Sequence, residues 1–97
     1  MVAVVSRAAP HVKIPEFEQL LSAGAAAMNL VNGAHALGFA ANWVTGWIAY
    51  DEGAARILGL QPGERLVAII HIGTAAVAPA DRPRPSLNEI VSEWKAV

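Results

Sequence analysis

The order of apolar runs predicts a small domain of mixed helix and strand, and three observations carry that expectation. Met1 to Val5 is a short β-branched run that reads as a strand, with the chain turning polar at Ser6-Arg7. Leu20 to Tyr50 contains no Asp, Glu, Lys or Arg and is packed with Ala and Gly. Leu66 to Ile72 is the strongest strand signal; it lacks strict alternation, so both its faces should be covered and it should lie centrally in its sheet. Taken alone, the strand–helix–strand order suggests a parallel α/β sheet.

Each element has a local reason. Ala8 to Lys13 reads as a loop, and Pro15 then falls in the first turn of a helix, with Glu16 and Glu18 facing the positive end of its dipole. That helix should run to about Leu37 and stop at Gly38. Phe17, Leu20, Leu21, Gly24, Met28 and Val31 fall on one face, and Ala23, Ala26, Leu30, Ala34 and Leu37 on the other. A helix apolar all round is a buried one. Its small residues, Gly24, Ala25, Ala27, Gly33 and Ala34, would admit a close neighbour, for which a like helix of a second subunit is the natural candidate. Phe39 to Val44 reads as a short buried strand broken at Gly46. Asp51 or Glu52 begins a short helix through Leu58, stopped by Gly59, and Pro62-Gly63 is a turn. Gly73 to Pro85 is irregular. Ser86-Leu87-Asn88-Glu89 has the form of a capping box, and Leu87, Ile90, Val91 and Trp94 make the stripe of a closing amphipathic helix.

Composition narrows the function classes. The chain has 97 residues, 55% of them hydrophobic and only 15% charged, more apolar surface than one small core normally hides, so association is expected. A net charge of −1 with no basic block argues against nucleic acid or an anionic membrane as partner. The uncharged stretch is long enough to span a bilayer, but Asn29, Asn32, His35 and Asn42 interrupt it and no Lys/Arg cluster flanks it. Met1 to Val5 is too short for the apolar region of a signal peptide, and the absence of cysteine fits a reducing cytosol, so a cytoplasmic location is expected.

No acid–base or nucleophilic constellation emerges. His11, His35 and His71 lie in different elements without ligand spacing, and neither Ser6 nor Ser22 stands in an elbow motif. Two features rise above background. At Trp43-Val44-Thr45-Gly46-Trp47, flat rings, a hydroxyl and a backbone freed by glycine suit the wall of a pocket for a planar heterocycle; the alternative is that Trp43 and Trp47 anchor a core or interface. In Asp81-Arg82-Pro83-Arg84-Pro85, an extended backbone would aim Arg82 and Arg84 the same way, as a pincer for a phosphate; the alternative is a solvated linker or a proline-type peptide ligand.

In order and spacing, the segments resemble the C-terminal half of an FMN-dependent nitroreductase. The resemblance is carried by Ser22-Ala23-Gly24-Ala25-Ala26, Ala34-His35-Ala36-Leu37-Gly38-Phe39, Trp43-Val44-Thr45-Gly46, Leu58-Gly59-Leu60, Val67 through Thr74, and Arg82-Pro83-Arg84-Pro85. It implies an α+β fold, a mixed β-sheet flanked by helices, with the long helix buried at an obligate homodimer interface. It implies FMN as cofactor, with Trp43, Val44, Thr45 and Gly46 beside the flavin ring and Arg82 and Arg84 on its phosphate; in the compact branch of the family, Gly33 to Gly38 aligns with a stretch assigned to the nicotinamide nucleotide. The chemistry implied is hydride transfer from NAD(P)H to the flavin and onward reduction of a nitroaromatic, quinone or similar small acceptor, with no catalytic side chain required.

The family opens with an Arg-rich helix of Arg-Arg-Ser-x-Arg type, to which nothing in this chain corresponds. The expectation is therefore the C-terminal portion of a single domain: strand and loop over 1–13, buried helix over 14–38, strand–helix–strand over 39–75, basic tail and short helix over 76–97. The remaining half would be a separate chain or lost. A non-catalytic dimerisation module derived from the same fold is the competing expectation.

Overall fold

Three strands and one long helix form the body of the molecule. The computed structural model describes residues 1–97, in the order β1 (Val2–Ser6), α1 (Glu16–Ala36), β2 (Ala40–Val44), a 3₁₀ turn (Trp47–Ala49), α2 (Glu52–Ile57), β3 (Arg65–Gly73) and α3 (Leu87–Ile90). The sheet order is β1-β3-β2, and both pairings are antiparallel. β1 and β2 therefore run parallel to each other without touching, because β3 is inserted between them. The parallel sheet suggested by element order alone does not form. The nine-residue, β-branched β3 takes the centre, where its apolar side chains are covered on both faces.

The register sorts the side chains. Val4 lies opposite Ala68, Val2 and Trp43 flank Ile70, and Ala41 lies opposite Ile72, so these residues share one face. α1 covers that face. Ala27 and Val31 meet Ala68 and Ile70 in a closed cluster, with Val4, Leu30, Ala41 and Ile72 packed around it, and Ala27, Ala68 and Ile70 are each 0% exposed. On the opposite face Asn42 stands across from His71 and Val44 across from Ile69. A bulge between Val4 and Val5 skips Val67 in the partner strand.

Local chemistry closes each helix. Past the last turn of α1, Gly38 adopts φ +84°; its N–H donates to His35 O at 2.9 Å and that of Phe39 to Ala34 O at 2.9 Å, the paired bonds of a Schellman stop. α2 ends the same way at Gly59 and Leu60, and begins with Asp51 Oδ1 accepting from the Ala54 N–H at 2.7 Å. The Pro62-Gly63 turn closes with the Glu64 N–H donating to Gln61 O at 3.0 Å. Gln19 pins the loop before α1, donating to Ala9 O at 2.8 Å and Ile14 O at 2.9 Å, while His11 Nδ1 accepts from the Ile14 N–H at 3.1 Å.

The expectations for β2 and α3 are corrected, while α1 is covered on one face only within the single chain: Ala27, Val31 and Ala34 are buried, whereas Phe17, Leu21, Met28 and Leu37 are exposed. The covered stripe runs from the half-buried Leu20 and Gly24 to the buried Ala27, Val31 and Ala34; Gly24 and Ala27 face the chain's own sheet, whereas Ala25 and Gly33 are exposed. β2 is half-buried to exposed, since only one of its sides has a neighbouring strand. α3 stops after four residues: Glu89 Oε2 accepts from the Ser86 N–H at 2.8 Å, the returning arm of a capping box, but Val91 is extended and Trp94 exposed. With no surface beneath it, the Leu87–Trp94 stripe has nothing to hold it helical.

The molecule keeps more surface than its mass warrants. Its accessible area is 8053 Å² for 10.2 kDa, about half as much again as the roughly 5,300 Å² of a compact monomer of that mass. Its radius of gyration, 17.0 Å, exceeds the roughly 12.5 Å of a compact chain of this length. No helix is long and apolar enough to cross a membrane.

Two substitutions test this packing by urea denaturation of the full chain. Ile70→Ala, at the centre of the cluster, should lower unfolding free energy by about 2–5 kcal/mol. Gly46 holds φ +60°, ψ −163°, a region essentially reserved for glycine, with nothing within 4 Å of an added Cβ. Gly46→Ala should therefore cost about 1–3 kcal/mol through backbone strain alone. An unchanged unfolding free energy in Ile70→Ala contradicts the closed cluster, and in Gly46→Ala it contradicts the backbone bend.

Candidate functional site

The first candidate segment is the corner where β2 ends. Alternation along β2 turns Trp43 toward α1, where a Cβ added to Gly24 would sit 3.9 Å from the tip of the indole, Cη2. Glycine at position 24 thus leaves room for the ring, which remains 37% exposed. Val44 points to the other face, Thr45 is half-buried, and Gly46 is exposed where its unusual backbone bends the chain into the 3₁₀ turn. Trp47 and Tyr50 beyond it are exposed. Ala49 and Tyr50 border a hollow of about 500 Å³ with Leu20, Arg65, Leu66 and Val67, a mostly apolar recess between α1 and the start of β3.

The second candidate segment lies at the other end of the β2–β3 pair. There, Ala40 is paired with Gly73, and the chain leaves β3 through Thr74 to return past Pro79. The result is a cleft of about 670 Å³ that includes Asn42, His71, Thr74, Asp81, Arg82 and Arg84 in its wall. Its volume falls within the usual range for small-ligand sites. Arg84 does not project freely as the extended-segment expectation had it: its Nη1 donates to Asp81 Oδ1 in an ion pair. The Arg82 backbone N–H donates to the same oxygen at 3.0 Å, while the Arg82 guanidinium forms no ion pair. The bond from Arg84, reinforced by its charge and by Arg82, holds the Asp81 carboxyl below the ordinary carboxylate range. The pair is consequently intact at neutral pH and is lost as pH falls through that lowered value.

Arg82 and Arg84 are brought together in one cleft. Trp43, Val44, Thr45 and Gly46 are brought together at the opposite end of β2, and none of the four lines that cleft. Sequence reasoning missed Asn42, His71, Thr74 and Asp81 as neighbours of the arginines. Asn42 and His71 are polar interruptions of apolar runs, which is a visible signal, but their pairing depends on strand register. No group of three His, Asp or Glu side chains is placed to hold a metal ion.

Guanidinium groups, a hydroxyl and an amide around an open cleft are donors of the kind a phosphate and a polyol take, with Arg82 and Arg84 supplying the charge. The aromatic corner, of a kind that suits a planar ring, does not line that cleft.

Comparison with known proteins extends this picture. A model of the nitroreductase family matches residues 5–74. A protein of Haemophilus influenzae, provisionally named an NAD(P)H nitroreductase, is 33% identical over 75 residues, which is 76% of this chain and 41% of that protein. YdjA of Escherichia coli, provisionally named likewise, is 28% identical over 74 residues, 76% of this chain and 40% of its own length. The crystal structure of a nitroreductase-like family protein from Bacillus cereus superposes with a TM-score of 0.82 at 26% identity, over 97% of this chain and 50% of the other. The chain thus spans about two fifths of the length of these curated relatives. Its helix and three-stranded sheet are part of the α+β architecture of that neighbour, and the family match covers most of the sequence. The chain belongs to the nitroreductase family.

Proposed function

We propose that this chain is part of a homodimeric, FMN-dependent NAD(P)H oxidoreductase that reduces nitroaromatic or quinone-type acceptors. Membership of the nitroreductase family supports a general oxidoreductase role, and the names of the relatives point to NAD(P)H as the electron donor. The observation that carries the cofactor assignment is the cleft in which Arg82 and Arg84 meet beside Thr74, Asn42 and His71.

When bound, FMN supplies the redox chemistry, accepting hydride from the nicotinamide and passing electrons to the acceptor. The chain's own residues bind and orient. Arg82 and Arg84 neutralise the phosphate, for which paired planar guanidinium groups are geometrically matched. Trp43, Val44, Thr45 and Gly46 serve the ring, offering an apolar edge, a hydroxyl and a stretch of backbone that no side chain shields. Because these two sets lie at opposite ends of β2, the site is proposed to be completed by a second copy, whose corner faces the cleft of the first. Covering the exposed Phe17, Leu21, Met28 and Leu37 of α1 at the same time removes the surplus apolar surface.

Fluorescence titration of flavin tests the phosphate assignment. Arg82→Ala combined with Arg84→Ala should weaken FMN binding by at least about tenfold, the cost of losing charge-assisted hydrogen bonds. Unchanged affinity in the double variant contradicts the assignment.

A further inference from the structure

The ion pair between Asp81 and Arg84 occupies the very group that the proposed site needs for a ligand's phosphate. Asp81 Oδ1 accepts both from the Arg84 guanidinium and from the Arg82 backbone N–H, so one carboxylate oxygen holds the Arg84 side chain and the Arg82 main chain together. Neither partner is fixed by burial: the side chains of Arg84 and Asp81 are 57% and 78% exposed. The contact spans three residues of one segment, and the Arg82 guanidinium beside it is unpaired.

We propose that Asp81 is a built-in competitor at the phosphate site, whose carboxylate must be displaced from Arg84 by the incoming ligand, so that an anion must bind more strongly than a tethered carboxylate to occupy the site. The inference rests on the assignment of Arg82 and Arg84 to the phosphate. A tethered carboxylate within short reach acts at an effective concentration in the mM range. A free carboxylate carries the same single charge and no tether, so below that concentration it does not displace Asp81. A phosphate monoester brings about −1.5 to −2 charges and three acceptor oxygens, enough to engage the free Arg82 and then Arg84 together. The exchange involves no covalent change: one ion pair opens as another forms, and the released carboxylate is solvated at the mouth of the cleft. The lowered titration of Asp81 agrees with this resident pairing.

The test uses the full chain and three variants. Asp81→Asn should tighten binding of FMN, and of inorganic phosphate, by about two- to fivefold, the range expected from an exposed ion pair. Glu93→Gln, which removes one tail carboxylate away from the cleft, should leave both affinities unchanged. In the unmodified chain, carboxyl NMR should show the Asp81 titration moving up toward its ordinary value when inorganic phosphate is added, and staying in place with acetate at equal ionic strength. Unchanged or weaker binding in Asp81→Asn, an equal gain in Glu93→Gln, or an Asp81 signal indifferent to phosphate each overturns the proposal. The Arg82→Ala, Arg84→Ala double variant separates this from the parent assignment. If it loses FMN while Asp81→Asn has no effect, only the competitor role fails; if it binds FMN normally, the phosphate assignment itself has failed.

Discussion

Everything in this molecule hangs on the contact of Ala27 with Ala68 and Ile70. The three have no exposed surface, and they fix α1 across β3. A methyl side chain at position 27 lets the helix backbone come close to the sheet, so that Val31, Leu30, Val4, Ala41 and Ile72 can close around the contact. Both other strands depend on β3 for every ladder hydrogen bond they make within the chain. Holding β3 in place therefore sets the register of β2, and the register sets both candidate segments. It puts Trp43 across from Ile70 and under Gly24, and puts Asn42 across from His71. The exit of β3 at Gly73 then delivers the tail with Asp81, Arg82 and Arg84 to the far end of the same strand pair.

That core is small for the amount of apolar sequence it must serve. Only 8 of 97 residues are buried, and the side chains left outside include Phe17, Leu21, Met28, Leu37, Phe39 and Trp47. At roughly 25 cal/mol per Å², exposed apolar area on this scale is a strong drive toward association. The proposed second copy answers two deficits with one contact. It would cover the outward face of α1, and it would bring the Trp43–Gly46 corner of one copy to the Arg82–Arg84 cleft of the other.

What could be read from the sequence was what local chemistry decides. The start of α2 at Asp51 or Glu52, the Gly38 and Gly59 stops and the Pro62-Gly63 turn depend on hydrogen bonds within a few residues, and each forms as read, with Asp51 supplying the cap. The central place of β3 was visible because Leu66 to Ile72 has no polar face to give to solvent. The buried stripe of α1 was not, because Ala and Gly recur on every side and leave little contrast between faces. α3 misled for the opposite reason: Leu87, Ile90, Val91 and Trp94 have a clear helical spacing but no surface on which to pack. In the candidate site the spacing singled out Arg82 and Arg84, but the extended geometry it implied does not form, because Arg84 turns back onto Asp81. The neighbours Asn42, His71 and Thr74 were not legible, since they arrive through strand register, and the pairing of Asp81 with Arg84 requires a bend that an extended segment would not make.

Association through the surface that one chain leaves uncovered is tested most directly by the mass of the particle in solution. Multi-angle light scattering behind size exclusion should give twice the 10.2 kDa of the single chain, with Phe17 and Met28 protected from solvent in that particle. A stable, well-folded species of 10.2 kDa across the micromolar range would contradict it.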